Sequence, residues 1–343
     1  MKNNKLKLTF KPYSLDLKYV FTVSSNSRVS TEIMLIEIEY DGIVGYGEAS
    51  LPPYLPETQK SVDKFLSKID LSQFTNPLDL ESIINYIDNI EPDNTAAKAS
   101  VDIALHDLSG KMMNKPLYEI WGFEKFCAPE TSFTIGLDTN EMVIKKTKEA
   151  LNYNILKVKL SKDNDKEIIK CIRSLTNKTL YVDVNQGWTD KYYALDMLFW
   201  LKEMGIIFVE QPLPKENVKD IKWLTENSPL PIFADEGIQR LGDLNKISDV
   251  YSGINVKLMK STGLSEARKL IDAANKIGMQ TMIGCMTETS CAVTAAANLA
   301  PLCKFADLDG AQLITNDLFD GMKIKDGKII MNDIPGIGVI KMN

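Results

Sequence analysis

The sequence predicts a closed β/α barrel with a smaller α+β domain beside it. Three observations carry that expectation. Five short apolar, β-branched runs follow one another between Ile155 and Lys260: Leu156–Leu160, Val182–Asn185, Phe208–Gln211, Phe233–Glu236 and Asn255–Leu258. Each bears a charged group near its end. Their spacing is regular, with Lys159 to Asp183 at 24 residues, Asp183 to Glu210 at 27, Glu210 to Asp235 at 25 and Asp235 to Lys257 at 22. One strand, one helix and two short loops take about that length, so the runs read as successive βα units of a parallel sheet. Ahead of them the pattern is different, alternating with a period of two and then helical.

In chain order, residues 5–50 read as an antiparallel meander. Leu6, Leu8 and Phe10, then Ile33 to Ile38, alternate in strand fashion, and Asp41-Gly42 supplies a hairpin turn. The polar stretch Ser24–Arg28 reads as a loop between strands, and residues 51–56, rich in proline, as a stiff loop. From Ser61 to about Gly122 the pattern is helical. Ala96 to His106 is small and apolar at helical spacing, suited to close helix packing, and His106 reads as a packed, hydrogen-bonded residue. Residues 1–125 are thus expected to form the α+β domain and 126–314 the barrel. Its eight strands lie near residues 132, 156, 181, 207, 232, 254, 281 and 305. Near Thr315 the chain leaves the barrel. Residues 315–343, with a hairpin turn at Asp326-Gly327, are expected to return to the first domain.

Composition excludes several functions. Net charge is 40 − 46 = −6, with no basic run and no aromatic-basic stripe, which argues against nucleic acid as a partner. The five cysteines are odd in number, irregularly spaced and lack a CxxC pair, so they read as reduced thiols of a cytoplasmic protein. The basic start Met1–Lys5 runs straight into a strand pattern rather than a signal sequence. No run approaches the roughly 18 apolar residues of a membrane span.

The chemistry follows from where the charges fall. The C-terminal ends of barrel strands converge on one mouth, so Lys159, Asp183, Glu210, Asp235 and Lys257 are expected in one place. Three carboxylates in a dry cleft repel one another, and a divalent cation resolves the conflict. Oxygen-only ligands suit a hard ion, Mg²⁺ first and Mn²⁺ second. Acids can also cap helices in βα loops, but three in the same place of consecutive units favour metal. Asn185 and Glu236 stand beside them, either as partners of the ligands or as loop residues. Lysines on opposite walls could take an α-proton from one face of a substrate and return it to the other, inverting the carbon. Such a base must be neutral, so its pKa should fall below the usual value of roughly 10.4, pushed by the cation and by Lys157. Lys157 shares a strand face with Lys159. Lys260 is a rival to Lys257 but falls beyond the apolar run. Thr134, Cys285 and Thr287, at strand ends, are candidates to face substrate. Arg28 is a candidate to hold a substrate carboxylate, and Asn26 a weaker neighbour.

Lys157-Val158-Lys159, the acid series and the later lysine resemble the enolase superfamily, muconate-lactonising subgroup. Within it, Phe305–Gly310 is similar to the Asp-x-Asp segment with which dipeptide epimerases hold a substrate's α-ammonium. Gly45–Ala49 and Ile103–Asp107 extend the resemblance over nearly the whole chain. The resemblance implies a modified TIM barrel, (β/α)7β, capped by the α+β domain, whose loops near 19–28 and 50–57 contribute specificity. It implies a Mg²⁺-dependent epimerase inverting the C-terminal residue of a dipeptide, of the L-Ala-D/L-Glu type. Lys159 and Lys257 would be the two acid/base catalysts and Asp183, Glu210 and Asp235 the metal ligands. Lys157 would give electrostatic support, and Asp307 with Asp309 would bind the ammonium. A homo-oligomer is common in the family. Other chemistries of the same scaffold stay open: o-succinylbenzoate synthase, muconate cycloisomerase or N-acylamino acid racemase. Asp307 and Asp309 discriminate, because those substrates carry no cation there. A catalytically silent peptide-binding protein is a further alternative, disfavoured by the presence of both lysines and all three acids.

Overall fold

The computed structural model describes residues 5–23, 26–125 and 127–342. Met1–Asn4 of the basic start, Ser24 and Ser25 of the expected loop, and Phe126 at the expected domain boundary lie outside these residues. The chain opens with the meander: β1 (Lys7–Val23), β2 (Asn26–Tyr40) and β3 (Ile43–Leu51), antiparallel in that order. Asp41 and Gly42 turn the second hairpin with φ of 51° and 80°. Such left-handed values favour Asp-Gly in a two-residue turn.

Four helices follow: α1 (Gln59–Leu66), α2 (Leu80–Asp88), α3 (Thr95–Met112) and α4 (Leu117–Ile120). The alanine-rich α3 lies directly on β3. A Cβ at Gly45 would sit 2.1 Å from the Ala104 carbonyl oxygen, and one at Gly47 would sit 1.9 Å from that of Ser100. Small residues on both elements therefore permit the approach that buries α3. His106 is buried on another face of α3, its Nδ1 2.9 Å from the Asp102 carbonyl oxygen and its ring edge-on to Trp121.

One expectation is corrected here. Asn26, Ser27 and Arg28 do not form a loop but begin β2, where Val23 pairs with Asn26, Thr22 with Ser27 and Phe21 with Arg28. Thr22 and Ser27 also join their hydroxyls at 2.9 Å, and the apolar Phe21 and Val23 lie opposite the polar residues. Cross-strand pairing of this kind fixes side chains that a free loop would leave mobile.

The barrel alternates strand and helix: β4 (Phe133–Ile135), α5 (Asn140–Glu149), β5 (Ile155–Lys159), α6 (Asp165–Leu175), β6 (Thr179–Asp183), α7 (Lys191–Glu203) and β7 (Ile206–Glu210). Then come α8 (Val218–Asn227), β8 (Ile232–Ala234), α9 (Leu244–Ile247), β9 (Gly253–Lys257), α10 (Leu264–Lys276), β10 (Gln280–Gly284), α11 (Ser290–Ala297) and β11 (Phe305–Asp307). Neighbours in sequence are parallel neighbours in the sheet from β4 to β11. A bridge between Thr131 and Ala306, with Ser132 N–H donating to Ala306 O at 3.1 Å, brings the two ends together. After β11 the described chain adds no α-helix, only a 3₁₀ turn at residues 310–312 before the strands of the tail, so eight barrel strands alternate with seven helices as the resemblance implies.

Strand alternation builds the interior in layers. Tyr181, Phe208 and Phe233 form, with Met282, an apolar floor, Tyr181 and Phe208 stacked at 4.3 Å and Phe208 and Phe233 at 4.4 Å. Two residues further along the same strands stand Asp183, Glu210, Asp235 and Gly284, so the polar layer rests on this floor.

The tail adds β12 (Phe319–Asp320), β13 (Lys323–Lys325), β14 (Lys328–Ile330) and β15 (Ile340–Lys341). Asp326 and Gly327 turn between β13 and β14 with φ of 53° and 76°. Asp107 of α3 accepts the N–H of Ile337 at 3.0 Å with one oxygen and that of Tyr46 at 2.8 Å with the other. Glu48 of β3 accepts the N–H of Thr289, the N-cap of α11, at 3.1 Å, which ties the meander to the barrel mouth. No helix among the described residues is long and apolar enough to cross a membrane.

Candidate active site

Asp183 and Glu210 are the last residues of β6 and β7, and Asp235 follows the last residue of β8. All three are buried, and one carboxylate oxygen from each lies within 4.8 Å of the others. An oxygen-only set this close suits a hard divalent cation. Burial and then the Asp183 charge push the Glu210 carboxyl up to about 8. The acids are held from behind. Asn255 Nδ2 donates to Glu210 Oε1 at 2.7 Å, and Gln211 Oε1 accepts the N–H groups of Asp235 and Gly237 at 3.1 and 3.0 Å.

Four lysines surround these acids. Lys157 Nζ lies 3.0 Å from Asp183, 2.9 Å from Glu210 and 2.7 Å from Asp307. Lys159 Nζ is 2.6 Å from Asp183 and donates to Asn185 Oδ1 at 2.9 Å. Lys257 Nζ is 2.7 Å from Asp235, whose other oxygen lies 2.5 Å from Lys260 Nζ. Lys159 ends the second strand of the barrel and Lys257 the sixth, four positions apart either way round the ring of eight. They therefore stand on opposite walls. The three acids occupy one arc between them, and the other arc carries Cys285, Thr287, Asp307, Asp309 and Thr134.

The acids set the direction of the pKa shifts of Lys257 and Lys157. Burial alone would lower the pKa of Lys257, but the Asp235 charge outweighs it and the net shift is well upward. Lys157 shifts the same way, with Asp307, Glu210 and Asp183 overriding burial. Carboxylates in contact with an ammonium favour its charged form.

Thr134, Lys157, Lys159, Lys257, Cys285, Thr287, Asp307, Asp309 and Arg28 all line one cavity of about 40 Å³. Asp307 is the contact acid of Lys157 and accepts a hydrogen bond from Ser132 Oγ at 2.8 Å, so part of its charge is spent inside the protein. Burial opposes ionisation of Asp307, but Lys157 prevails and holds its pKa below the usual range. Asp309 accepts the N–H of Thr134 at 2.6 Å, and burial, then Asp307, push it up to about 7. Arg28 donates to Thr287 Oγ1 at 3.2 Å and lies over the Phe21 ring, with no acid in salt-bridge reach among the described residues. Asn185 accepts from Lys159 and donates to Glu236 Oε1 at 3.3 Å, so both doubtful neighbours belong to this network.

Asn255 is a residue that sequence reasoning passed over, and Lys260 one that it set aside as lying beyond the strand. Lys260 is buried, not displayed beyond the strand, because the turn after β9 folds back, Lys260 N–H donating to Lys257 O at 3.0 Å. Its ammonium also donates to the carbonyls of Asp235 and Asn255 at 2.6 and 2.9 Å. Asn255 was legible through its two-residue offset from Lys257, which puts both on the inner face. Gly284 on the neighbouring strand leaves it room, since a Cβ there would meet Asn255 Oδ1 at 2.4 Å.

With this geometry in view, the chain matches the "Enolase C-terminal domain-like" family over residues 141–340 and the "Mandelate racemase / muconate lactonizing enzyme, N-terminal domain" family over residues 11–122. It is 56% identical to an L-Ala-D/L-Glu epimerase of Bacteroides thetaiotaomicron over 98% of this chain and 88% of that one. It is 31% identical to a hydrophobic dipeptide epimerase of Enterococcus faecalis, over 95% of this chain and 96% of that one. The substrate-liganded L-Ala-D/L-Glu epimerase of Bacillus subtilis superposes with a TM-score of 0.93 at 27% identity, over 99% of both chains. A dipeptide epimerase of Enterococcus faecalis with Mg and L-Leu-L-Tyr superposes at 0.89 and 30% identity, over 98% of this chain and 99% of that one.

Proposed function

The chain belongs to the muconate-lactonising subgroup of the enolase superfamily, and from that premise we propose that it is a Mg²⁺-dependent dipeptide epimerase. It inverts the α-carbon of the second residue of L-Ala-L-Glu or a related dipeptide. The observation that carries this reading is the placement of two lysines on opposite walls, with an acid arc between them on one side and Asp307–Asp309 on the other.

Asp183, Glu210 and Asp235 would hold the cation. Bound there, it would supply positive charge that draws electrons from a substrate carboxylate, acidifies the neighbouring C–H bond, and offsets the acids that hold the pKa values of Lys157 and Lys257 up. Lys159 and Lys257 work on the two faces of the α-carbon, one accepting the proton and the other delivering one. Each leads a single-face role, so the product is the opposite epimer. Lys157 keeps its positive charge beside the forming negative charge, anchored by Asp307. Asp309, with Asp307 behind it, takes the α-ammonium of the first residue. Mn²⁺ would fit the same oxygen donors.

The test is incubation of the protein with Mg²⁺ and L-Ala-L-Glu in D₂O. L-Ala-D-Glu should form, with one deuterium at the glutamate α-carbon. Exchange in an N-acyl amino acid but not in any dipeptide would point instead to an N-acylamino acid racemase.

Arg28 sets the preference for an acidic second residue. It is a guanidinium at the cavity wall with no acid in salt-bridge reach among the described residues, placed by pairing of β2 with β1. A hydrogen bond to a charged group contributes about 1.5–3 kcal/mol. Arg28→Met should therefore lower the kcat/KM ratio of L-Ala-L-Glu to L-Ala-L-Leu by about 10- to 100-fold, read by steady-state kinetics on both dipeptides. An unchanged ratio would remove Arg28 from the specificity determinants.

A further inference from the structure

Each of the three acids divides its oxygens between two neighbours. Asp183 Oδ1 accepts the Asn185 N–H at 2.9 Å, Glu210 Oε1 accepts from Asn255 Nδ2 at 2.7 Å, and Asp235 Oδ1 lies 2.5 Å from Lys260 Nζ. The second oxygen of each is turned to a lysine of the cavity. Asp183 Oδ2 is 2.6 Å from Lys159, Glu210 Oε2 2.9 Å from Lys157, and Asp235 Oδ2 2.7 Å from Lys257. Glu210 Oε2 is buried and receives no hydrogen bond among the described residues, only the Lys157 contact, as suits an oxygen that faces a cation. The protein thus offers one oxygen of each acid and keeps the other.

Of the three groups that keep an oxygen, Lys260 alone is charged. Its ammonium meets Asp235 Oδ1 and the carbonyl oxygens of Asp235 and Asn255, the last two at 2.6 and 2.9 Å. An ammonium has three N–H donors, so these three oxygens saturate it. Lys260 is buried, and it does not line the cavity that Lys157, Lys159 and Lys257 line. It stands behind Asp235 and out of reach of substrate, which removes it as a rival base. The two carbonyls follow β8 and lie within β9, so the ammonium is fixed to the barrel frame and not to the carboxylate alone. Mg²⁺ demands octahedral geometry, whereas Ca²⁺ takes about six to eight oxygens and accepts both oxygens of one carboxylate. An acid with one oxygen pinned can supply only the other.

We propose that Lys260 is a positioning residue that makes Asp235 a one-oxygen ligand and thereby holds the site to Mg²⁺ against the larger Ca²⁺. The inference rests on the Mg²⁺-dependent reading above. Without the ammonium, Asp235 Oδ1 is free to join Oδ2 on one ion, which favours Ca²⁺ over Mg²⁺.

Calorimetry on the full chain without dipeptide measures Kd for Mg²⁺ and for Ca²⁺. The wild type should bind Ca²⁺ at least about tenfold more weakly than Mg²⁺. In Lys260→Met the ratio of the Ca²⁺ to the Mg²⁺ Kd should fall by about tenfold. The lost positive charge alters the attraction of both dications alike, so it cancels from the ratio. Lys98→Met controls for loss of a buried ammonium as such. Lys98, in α3 and outside the site, is buried with partners of the same kind: the Asp88 carboxylate at 2.9 Å and the carbonyls of Asp88 and Glu91 at 3.1 and 2.7 Å. That variant should lose stability and keep the wild-type ratio. An unchanged ratio in Lys260→Met, or an equal fall in both variants, overturns the proposal. If Lys260→Met does not fold, the wild type decides, and equal Kd values for the two ions overturn it. Mg²⁺ binding with the ratio unmoved would sink this inference alone. Binding of neither ion by the wild type would sink the Mg²⁺-dependent reading with it.

Discussion

Replacing Lys159 or Lys257 by alanine should reduce epimerisation of L-Ala-L-Glu by about 10³-fold or more, since a positioned acid or base contributes roughly 10²–10⁴ and here one face loses its proton carrier altogether. The fuller expectation concerns isotope exchange. Each variant keeps the lysine on the other wall, so it should still exchange the α-proton of one epimer with solvent deuterium without converting it. The two variants should retain opposite epimers. Both proteins are expected to fold, because neither substitution strands an acid. Without Lys159, Asp183 keeps Lys157 at 3.0 Å, and without Lys257, Asp235 keeps Lys260 at 2.5 Å. Mass spectrometry of each dipeptide after incubation in D₂O reads the result directly. If both variants exchanged the same epimer, the lysines would not serve opposite faces. If both epimerised near the wild-type rate, the two-base mechanism would be lost.

Much of this site was legible in the sequence because barrel topology converts a linear spacing into a ring. Asp183, Glu210 and Asp235 recur at one strand, one helix and two loops, and closure of the sheet does the rest. Period-two alternation within Lys157-Val158-Lys159 put both amines on the inner face. What stayed hidden depended on chain reversals that no periodicity encodes. Lys260 looks like a residue past the end of a strand, and only the turn back to Lys257 O brings its ammonium onto Asp235. Arg28 sits in a polar stretch with the composition of a loop, yet pairing with Phe21 makes it a strand residue with a fixed direction. The acid contacts of the amines were hidden for a different reason: the spacing of the acids placed them in one ring but did not say which carboxylate each amine touches, and Asp235, Asp307 and Glu210 lie within 3 Å of Lys257 and Lys157.

Removal of divalent metal with EDTA should reduce epimerisation to background, with Mg²⁺ restoring it, and the charge balance of the site says what else should change. Asp183, Glu210, Asp235 and Asp307 are in contact with Lys157, Lys159, Lys257 and Lys260, so four carboxylates face four ammonium groups. That set is neutral when every group is ionised. A dication entering it creates a surplus of positive charge in a buried place, which the site can relieve by giving up protons. The cluster holds protons firmly beforehand, as the upward shifts of Lys157, Lys257 and Glu210 indicate. Binding of Mg²⁺ near pH 7 should therefore release protons, whichever of these groups carried them, and the affinity should weaken as pH falls because protons then compete with the metal. Calorimetry in two buffers of different ionisation enthalpy measures that release. The bound cation should also stabilise the fold, by about 2.7 kcal/mol at a hundredfold excess over Kd, raising Tm by roughly 5 °C. Asp235→Asn should weaken the binding and reduce the Tm increment, while Lys260 still has the two backbone carbonyls to bond. Proton release reads the coupling between the cation and this cluster, in which Glu210, held up at about 8, is one of the groups with a proton to give. Binding with no proton released and no dependence on pH would separate the cation from these acids and amines.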